Sequence, residues 1–162
     1  MKRIFFIAIA LFALAACKHR KKRIVDTKIL NYGTFTIEAP LLWGRVKDDS
    51  TNKNAGRIAI DNKDTIAFNY IAGGSEPTDT GKIIFADAAN TQTKMKWKEI
   101  DGFNAKVVSP KQPGTGITGV YIDSIKVTGS AVSRFYLYGN NLSPDNEKDV
   151  LQAIKTLKFT RE

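Results

Sequence analysis

The side chains that most often carry out catalysis are scarce in this chain of 162 residues. It contains a single histidine, His19, and a single cysteine, Cys17. Nucleophilic catalysis by serine or cysteine commonly uses a histidine base, and zinc sites are built largely from cysteine and histidine ligands. Residues 24–162 therefore hold neither a Ser-His or Cys-His pair nor a Cys/His zinc site, and we predict no metal and no cofactor.

Carboxylates and a serine-lysine pair remain as sources of chemistry. Acidic residues that could meet in space are Asp48, Asp49, Asp61, Asp64 and Asp123. Two converging carboxylates can act as general acid and general base. Acids in turns more commonly bond to nearby backbone N–H groups or face solvent. We therefore predict a protein without catalytic residues.

The stretch Gly114-Thr115-Gly116-Ile117-Thr118-Gly119 fits the pattern G-x-G-x-x-G. A dinucleotide-binding loop of this type needs a strand before it and a helix after it, because the helix N-terminus binds the phosphates. Here Pro110 and Pro113 precede the pattern, and a strand pattern with Val120 and Ile122 follows it. The interpretation that fits is a plain loop.

The first residues have the pattern of a secretory signal. Lys2 and Arg3 precede an apolar run at 4–14, and small residues follow. A signal peptide has about 7–15 apolar residues in this position, whereas a helix that spans a bilayer needs about 20. We predict a cleaved signal at 1–16 rather than a membrane domain.

The stretch Leu14-Ala15-Ala16-Cys17 resembles a bacterial lipobox, the signal for lipoprotein maturation. The resemblance implies cleavage between Ala16 and Cys17 and attachment of long acyl chains such as palmitate to Cys17. The alternatives are a plain secretory signal that contains a cysteine and an uncleaved N-terminal helix. Lys18 stands where an aspartate would resemble an inner-membrane retention signal, so the sorting rules imply the outer membrane, with the domain facing the periplasm.

The positive charge of the chain is concentrated near its start. Seven of the 25 Lys and Arg residues lie in 1–23, and all 16 Asp and Glu residues lie beyond residue 25. Residues 24–162 therefore carry 18 bases against 16 acids, a net charge of +2. A basic tether at 17–23 is typical of a disordered, membrane-proximal segment, and the near-neutral domain argues against nucleic acid as a partner.

Residues 24–162 have the length of a single domain, and their pattern is mainly that of β-strands. Asp101-Gly102, between two apolar-rich runs, is a strong hairpin signal. The segment 82–89 is compatible with either strand or helix. The predicted strands are 34–38, 57–60, 65–70, 95–100, 103–108, 119–125 and 131–138.

A C-terminal helix completes the predicted fold. Ser143 is a good N-cap, Pro144 suits the first helical position, and acidic residues follow near the positive end of the helix dipole. The predicted class is α+β, an antiparallel sheet of about six or more strands with this helix packed on it. The apolar stripe of the helix consists of Val150, Leu151, Ile154 and Leu157.

Both ends of the domain resemble those of PsbP-like proteins. The stretch Phe35-Thr36-Ile37-Glu38-Ala39-Pro40-Leu41-Leu42-Trp43 is similar to their opening of strand, proline and tryptophan, and residues 151–159 are similar to their closing helix and strand. The resemblance implies an antiparallel sheet sandwiched between helices and an accessory binding role. It supplies no metal ligands that can be matched to this chain.

Aromatic side chains are candidates for binding a partner. Along one predicted strand, the period of two places Arg134, Tyr136 and Tyr138 on one face, and Tyr121 lies on the neighbouring strand. An uncovered face of this kind has the composition of an interface hot spot. The alternative is that a helix or loop covers the face, so that the tyrosines belong to the core, and Trp43 is likewise expected in the core.

The function that these features favour is a lipid-anchored, non-enzymatic binding or accessory lipoprotein of the bacterial cell envelope, with a protein partner there. It would use a sheet face or the loops at 73–81 and 110–119. A periplasmic inhibitor or immunity protein against a toxin or hydrolase is the alternative. An enzyme based on carboxylates or a Ser-Lys pair would need a pocket with converging acids.

Overall fold

The computed structural model describes residues 26–46, 54–73, 85, 92–128 and 131–161. The predicted signal, the lipidation site at Cys17, the cleavage site at Ala16 and the tether lie outside these residues, as do Asp48 and Asp49. Most of 82–89 also lies outside. Among the described residues, no helix is both long and apolar enough to cross a membrane.

The elements are β1 (Thr27–Asn31), β2 (Phe35–Pro40), β3 (Gly44–Arg45), β4 (Ala55–Ala59), β5 (Thr65–Ile71), β6 (Thr93–Ile100), β7 (Phe103–Pro110), β8 (Ile117–Thr128), β9 (Ala131–Asn140), α1 (Pro144–Ala153), a 3-10 turn (Ile154–Thr156) and β10 (Lys158–Phe159).

The strands form two antiparallel sheets. The larger sheet has seven strands in the order β3-β4-β5-β9-β8-β7-β6, and the smaller has the order β1-β2-β10. Helix α1 contacts β2 of the small sheet and β8 of the large one. This arrangement confirms the predicted α+β class, with an antiparallel sheet of more than six strands and a C-terminal helix packed on it.

The hairpin predicted at Asp101-Gly102 is confirmed, and a second hairpin joins β4 to β5. β4 and β5 flank the turn at 61–64, and β6 pairs with β7 along its whole length, from Thr93 opposite Pro110 to Ile100 opposite Phe103. The two residues between β6 and β7, Asp101 and Gly102, have φ values of +53° and +84°. Positive φ at both central positions is what a two-residue hairpin turn requires, because its twist then matches that of the strands.

The main core lies between the two sheets and α1, and aromatic rings fill its centre. The ring of Phe35 lies 5.1 Å from that of Phe68 and 4.9 Å from that of Phe135, in the tilted and edge-on arrangements that aromatic pairs prefer. All three side chains are buried, and so is Trp43, as predicted. Burial of each such side chain stabilises the fold by roughly 1.5–3 kcal/mol.

Helix α1 begins and packs as its sequence predicts. The Ser143 hydroxyl accepts a hydrogen bond from the N–H of Asn146, and Pro144 occupies the first turn. Val150, Ile154 and Leu157 are buried in the main core. Leu151 differs from them because it is only half-buried, on the side of the helix that faces strand β6.

Candidate functional site

The acidic pair Asp61 and Asp64 joins the β4–β5 turn to the start of α1. Asp61 accepts hydrogen bonds from the backbone N–H groups of Lys63 and Asp64 at 2.8 and 2.7 Å. The side-chain amide of Asn146 donates to both carboxylates, at 2.6 and 2.7 Å, and Asp64 also accepts from the N–H of Ser143. The bonds from Asp64 N–H and from Asn146 hold the pKa of Asp61 below its ordinary value. These contacts match the expectation that acids in turns bond to nearby backbone N–H groups.

The G-x-G-x-x-G stretch runs from a loop into a strand. Residues 111–116 form the loop, and β8 begins at Ile117, so that no helix follows the pattern. Gly119 lies inside β8, where a Cβ atom would come within 2.3 Å of the carbonyl oxygen of Leu137. This glycine serves the close approach of two strands rather than a phosphate, which agrees with the interpretation of a plain loop.

The predicted tyrosine face is largely covered. Tyr121 and Tyr136 are buried, with 7% and 9% of their surface exposed, and both belong to a second apolar cluster with Phe85. The rings of Phe85 and Tyr121 lie 5.9 Å apart, and the Lys106 ammonium donates to the Phe85 carbonyl at 2.6 Å. Tyr121 and Tyr136 therefore belong to the core, which is the alternative stated for this face.

The two other predicted binding residues, Arg134 and Tyr138, are half-exposed on β9. The ring of Tyr138 lies 6.0 Å from that of Tyr136 and packs against the second cluster. Asp123, the remaining described acid of the sequence analysis, is exposed on β8. These residues do not converge on a pocket among those described.

A groove that the sequence analysis did not single out lies between strand β6 and helix α1. It has a volume of about 380 Å³. Its apolar floor includes Ile100 and Val107 from the sheet, Leu151 from α1 and Ile154 from the 3-10 turn. Five lysines line it, three from β6 and two from the C-terminal segment: Lys94, Lys96, Lys98, Lys148 and Lys155.

The period of two along β6 creates the lysine row. Lys94, Lys96 and Lys98 alternate with Met95 and Trp97, so the three lysines share the face that looks toward α1. Since a strand rises about 3.4 Å per residue, successive lysines stand about 7 Å apart. The row is therefore a regular line of positive charge.

The charges of this row are not neutralised within the described part of the chain. No ion pair or hydrogen bond joins the ammonium groups of Lys94, Lys96 or Lys98 to another described residue, and no acidic side chain lines the groove. Across the groove, Lys148 pairs with Asp145 at 3.1 Å, and Lys155 donates to the side-chain oxygen of Gln152. The groove thus carries a net positive charge over an apolar floor.

A neighbouring groove on the other side of α1 has a different character. It has a volume of about 400 Å³, and Glu38 and Asp149 line it together with Lys155. Mixed charges of this kind give no preference for one sign of ligand. Of these two grooves, the β6 groove is the one whose charged lining residues are all lysines.

The opposite face of β6 is exposed and carries two large apolar side chains, followed by Glu99 near the turn. Met95 and Trp97 expose 44% and 58% of their surface. Met95 stands opposite Val108 on β7, and Val108 belongs to the second apolar cluster. Strand β6 therefore presents lysines on one face and large apolar side chains on the other, at the outer edge of the large sheet.

The β6–β7 turn is fixed to the C-terminal strand by Asp101. Its carboxylate accepts from the N–H of Phe159 at 2.9 Å and from the Lys158 ammonium at 3.0 Å, and the Arg161 guanidinium lies 3.7 Å away. Burial raises the pKa of Asp101, but the Phe159 N–H, Lys158 and Arg161 lower it, and the pKa lies below its ordinary value. This clamp holds one end of β6 in place.

The signal for the groove was present in the sequence as the alternation Lys94-Met95-Lys96-Trp97-Lys98. Alternation identifies a strand with two unlike faces but does not say what lies opposite either face. The positions of Lys148 and Lys155 follow only from the packing, because these residues lie about 50 to 60 positions after the lysines of β6. Their convergence depends on the antiparallel order β8-β7-β6.

Comparisons with known proteins include a similarity to a solved structure. No protein-family model and no curated protein matches the chain. A crystal structure of a protein from Bacteroides thetaiotaomicron is similar to it, with 14% sequence identity and a TM-score of 0.44. The match covers 85% of this chain and 49% of the other, so the chain spans about half the length of the solved structure. A similarity at this level assigns no function, and the case for the groove depends on its own residues.

Proposed function

We propose that this protein is a lipid-anchored, non-enzymatic binding lipoprotein of the bacterial cell envelope and that the β6 groove binds an anionic protein partner. The anchor is Cys17, in the lipobox at 14–17, and the proposed location is the outer membrane with the domain facing the periplasm. Acyl chains on one cysteine, at about 0.8 kcal/mol per buried methylene, would keep the protein on its membrane.

The observation that carries the proposal is the groove with five lysines over an apolar floor. The domain as a whole has a net charge of only +2 for residues 24–162, so a cluster of five cations is a local concentration of charge. Like charges along a strand repel each other and are best compensated by a ligand of opposite sign. The apolar floor adds contact area that a simple inorganic anion would not use.

A binding experiment with a charge-matched control tests the groove. The full chain in non-ionic detergent is titrated with a fluorescent oligoglutamate peptide at low and physiological salt. Lys94→Gln/Lys96→Gln is expected to weaken binding roughly tenfold, whereas Lys28→Gln/Lys63→Gln, which removes the same charge outside the groove, leaves it nearly unchanged. Equal effects of the two variants would mean that only net charge matters and would refute the groove as the site.

The anchor is tested separately by cell fractionation. Cys17→Ala is expected to release the protein from the membrane fraction or to leave its signal uncleaved, because the proposal assigns anchoring to Cys17 alone. A correctly cleaved Cys17→Ala protein that still requires detergent for extraction would contradict the lipobox. The groove variants serve as controls here, since they are expected to fractionate like the wild type.

A further inference from the structure

We propose that the partner of the groove is an extended protein segment that adds to β6 as a further strand of the large sheet, with acidic and apolar residues in alternation. This inference rests on the proposed function, because it names the partner of the same site. Two independent features of β6 carry it: its backbone stands at the edge of the sheet, and its two faces differ in chemistry.

Among the described strands, the backbone of β6 is paired on one side alone. β6 is the last strand of the seven-stranded sheet, and within the described residues β7 is the sole strand that pairs with it. Ile100 and Phe103 flank a two-residue turn and therefore form a hydrogen-bonded pair, after which bonded and non-bonded pairs alternate along the hairpin. It follows that the backbone N–H and C=O groups of Lys94, Lys96 and Lys98 bond to β7. The backbone N–H and C=O groups of Met95, Trp97 and Glu99 point away from β7, toward the open edge of the sheet.

This alternation places the three lysines at the positions where the side chains of an added strand would come closest to them. Residues that bond to β7 stand at the non-hydrogen-bonded positions of an antiparallel strand added on the other side, where facing Cα atoms are about 4.5 Å apart. Acidic residues of the added strand at every second position would then stand opposite Lys94, Lys96 and Lys98. Lys148 of α1 and Lys155 of the following 3-10 turn lie across the groove from that row.

The remaining residues of the added strand would lie on the opposite face. There Met95 and Trp97 are exposed, and the second apolar cluster continues beneath them through Val108. Apolar residues at the alternate positions would cover Trp97, and large aromatic side chains are frequent anchors of protein interfaces. The proposed partner segment therefore has acidic and apolar residues in alternation, over a length close to the eight residues of β6.

An anionic membrane surface is the competing ligand with the same charge. It fits the site less well, because the lysines line a groove between a strand and a helix rather than a convex surface. A lipid headgroup also has no means of pairing with a row of outward backbone N–H and C=O groups, whereas an extended peptide does so in strand addition. The charge and the backbone together favour a peptide.

The test compares probes that share composition but differ in pattern. The full chain in non-ionic detergent is titrated with a labelled peptide of about eight residues that alternates Glu with Val, and with a peptide of the same composition in which the Glu and Val residues are grouped in two blocks. Vesicles of zwitterionic lipid with and without an anionic lipid form the third probe. We expect the alternating peptide to bind at least tenfold more tightly than the block peptide.

Two pairs of variants separate backbone pairing from charge. Met95→Pro removes an outward N–H without removing a hydrogen bond to β7, so it is expected to abolish binding, whereas Met95→Ala retains most of it. Lys96→Glu is expected to weaken the binding of the alternating peptide by one to two orders of magnitude. Lys63→Glu serves as its matched control. Circular dichroism and thermal melting confirm that each variant is folded.

The outcomes distinguish this inference from the proposed function. Equal binding of the two peptides, or an unaffected Met95→Pro, would show that the groove recognises anions without strand addition and would overturn the inference alone. Binding to anionic vesicles but to neither peptide would also overturn it and would identify a lipid surface as the ligand. Binding of no probe, including oligoglutamate, would overturn both proposals and leave the lysines as charges that keep a sheet edge from self-association.

Discussion

Replacement of Asp101 tests whether one carboxylate fixes the β6–β7 hairpin to the end of the chain. Its side chain is 8% exposed and bonds to the N–H of Phe159 at 2.9 Å, while Lys158 and Arg161 are largely exposed. We compare Asp101→Asn and Asp101→Ala because asparagine tolerates the φ of +53° and retains an acceptor for the N–H, whereas alanine does neither.

The expected losses follow from these contacts. Ion pairs to exposed cations are worth about 0.2–1 kcal/mol each, and a charged acceptor strengthens a hydrogen bond, so Asp101→Asn is expected to lower the free energy of unfolding by about 1 kcal/mol. Asp101→Ala leaves the N–H of the buried residue Phe159 without this acceptor, at about 1–3 kcal/mol, and strains the left-handed turn by about 1 kcal/mol more. Asp101→Ala also loses the charge contribution of about 1 kcal/mol that Asp101→Asn loses, so the total for alanine is about 3–5 kcal/mol.

Urea unfolding as a function of pH measures both effects. The folded-state pKa of Asp101 is lowered, so the stabilisation by its charge is present above the unfolded pKa of about 3.9 and is lost as the pH falls through the folded pKa. The difference between wild type and Asp101→Asn should therefore disappear in acid, while Asp101→Ala remains destabilised. Equal losses for Asn and Ala at pH 7, or a wild-type advantage over Asn that persists in strong acid, would refute this account.

Three further predictions concern the core, a strand contact and the helix cap. The Tyr32 hydroxyl is buried without a hydrogen-bond partner among the described residues, and burial raises its pKa to about 12, with Arg45 opposing the shift. Tyr32→Phe should therefore raise the free energy of unfolding by about 1 kcal/mol, and a loss measured by urea unfolding would contradict this. Gly119→Ala should cost about 1–3 kcal/mol through its clash with the facing strand, whereas Gly44→Ala, which meets nothing within 4 Å, should cost much less in the same measurement. Asn146→Ala should lower the thermal midpoint by removing the bonds to both turn carboxylates, and an unchanged midpoint would show that those bonds contribute nothing.

The local elements of this protein were predictable from the sequence because their signals are local. Asp101-Gly102 specifies a hairpin turn through the positive φ values that it tolerates, and Ser143-Pro144 specifies the start of α1 through its cap. Alternating apolar residues identified the central strands, and Trp43 belongs to the core as predicted. The short strands β1, β3 and β10 carry weaker patterns, and β1 and β3 were not predicted.

A local sequence pattern does not specify which distant residues a strand or a helix packs against. The period of two separates the faces of a strand but does not say which face is covered, so the burial of Tyr121 and Tyr136 beside Phe85 emerged only in the tertiary structure. The same limit applies to β6, whose alternation was visible although its place at the sheet edge, opposite two helix lysines, was not. The lipobox at Cys17 and the PsbP-like resemblance remain predictions of the sequence.

The sequence by itself determined the fold class, the hairpins and the helix, because turn and cap chemistry act over a few residues. Only the tertiary structure decided which charges meet, because that depends on contacts between residues far apart in the chain.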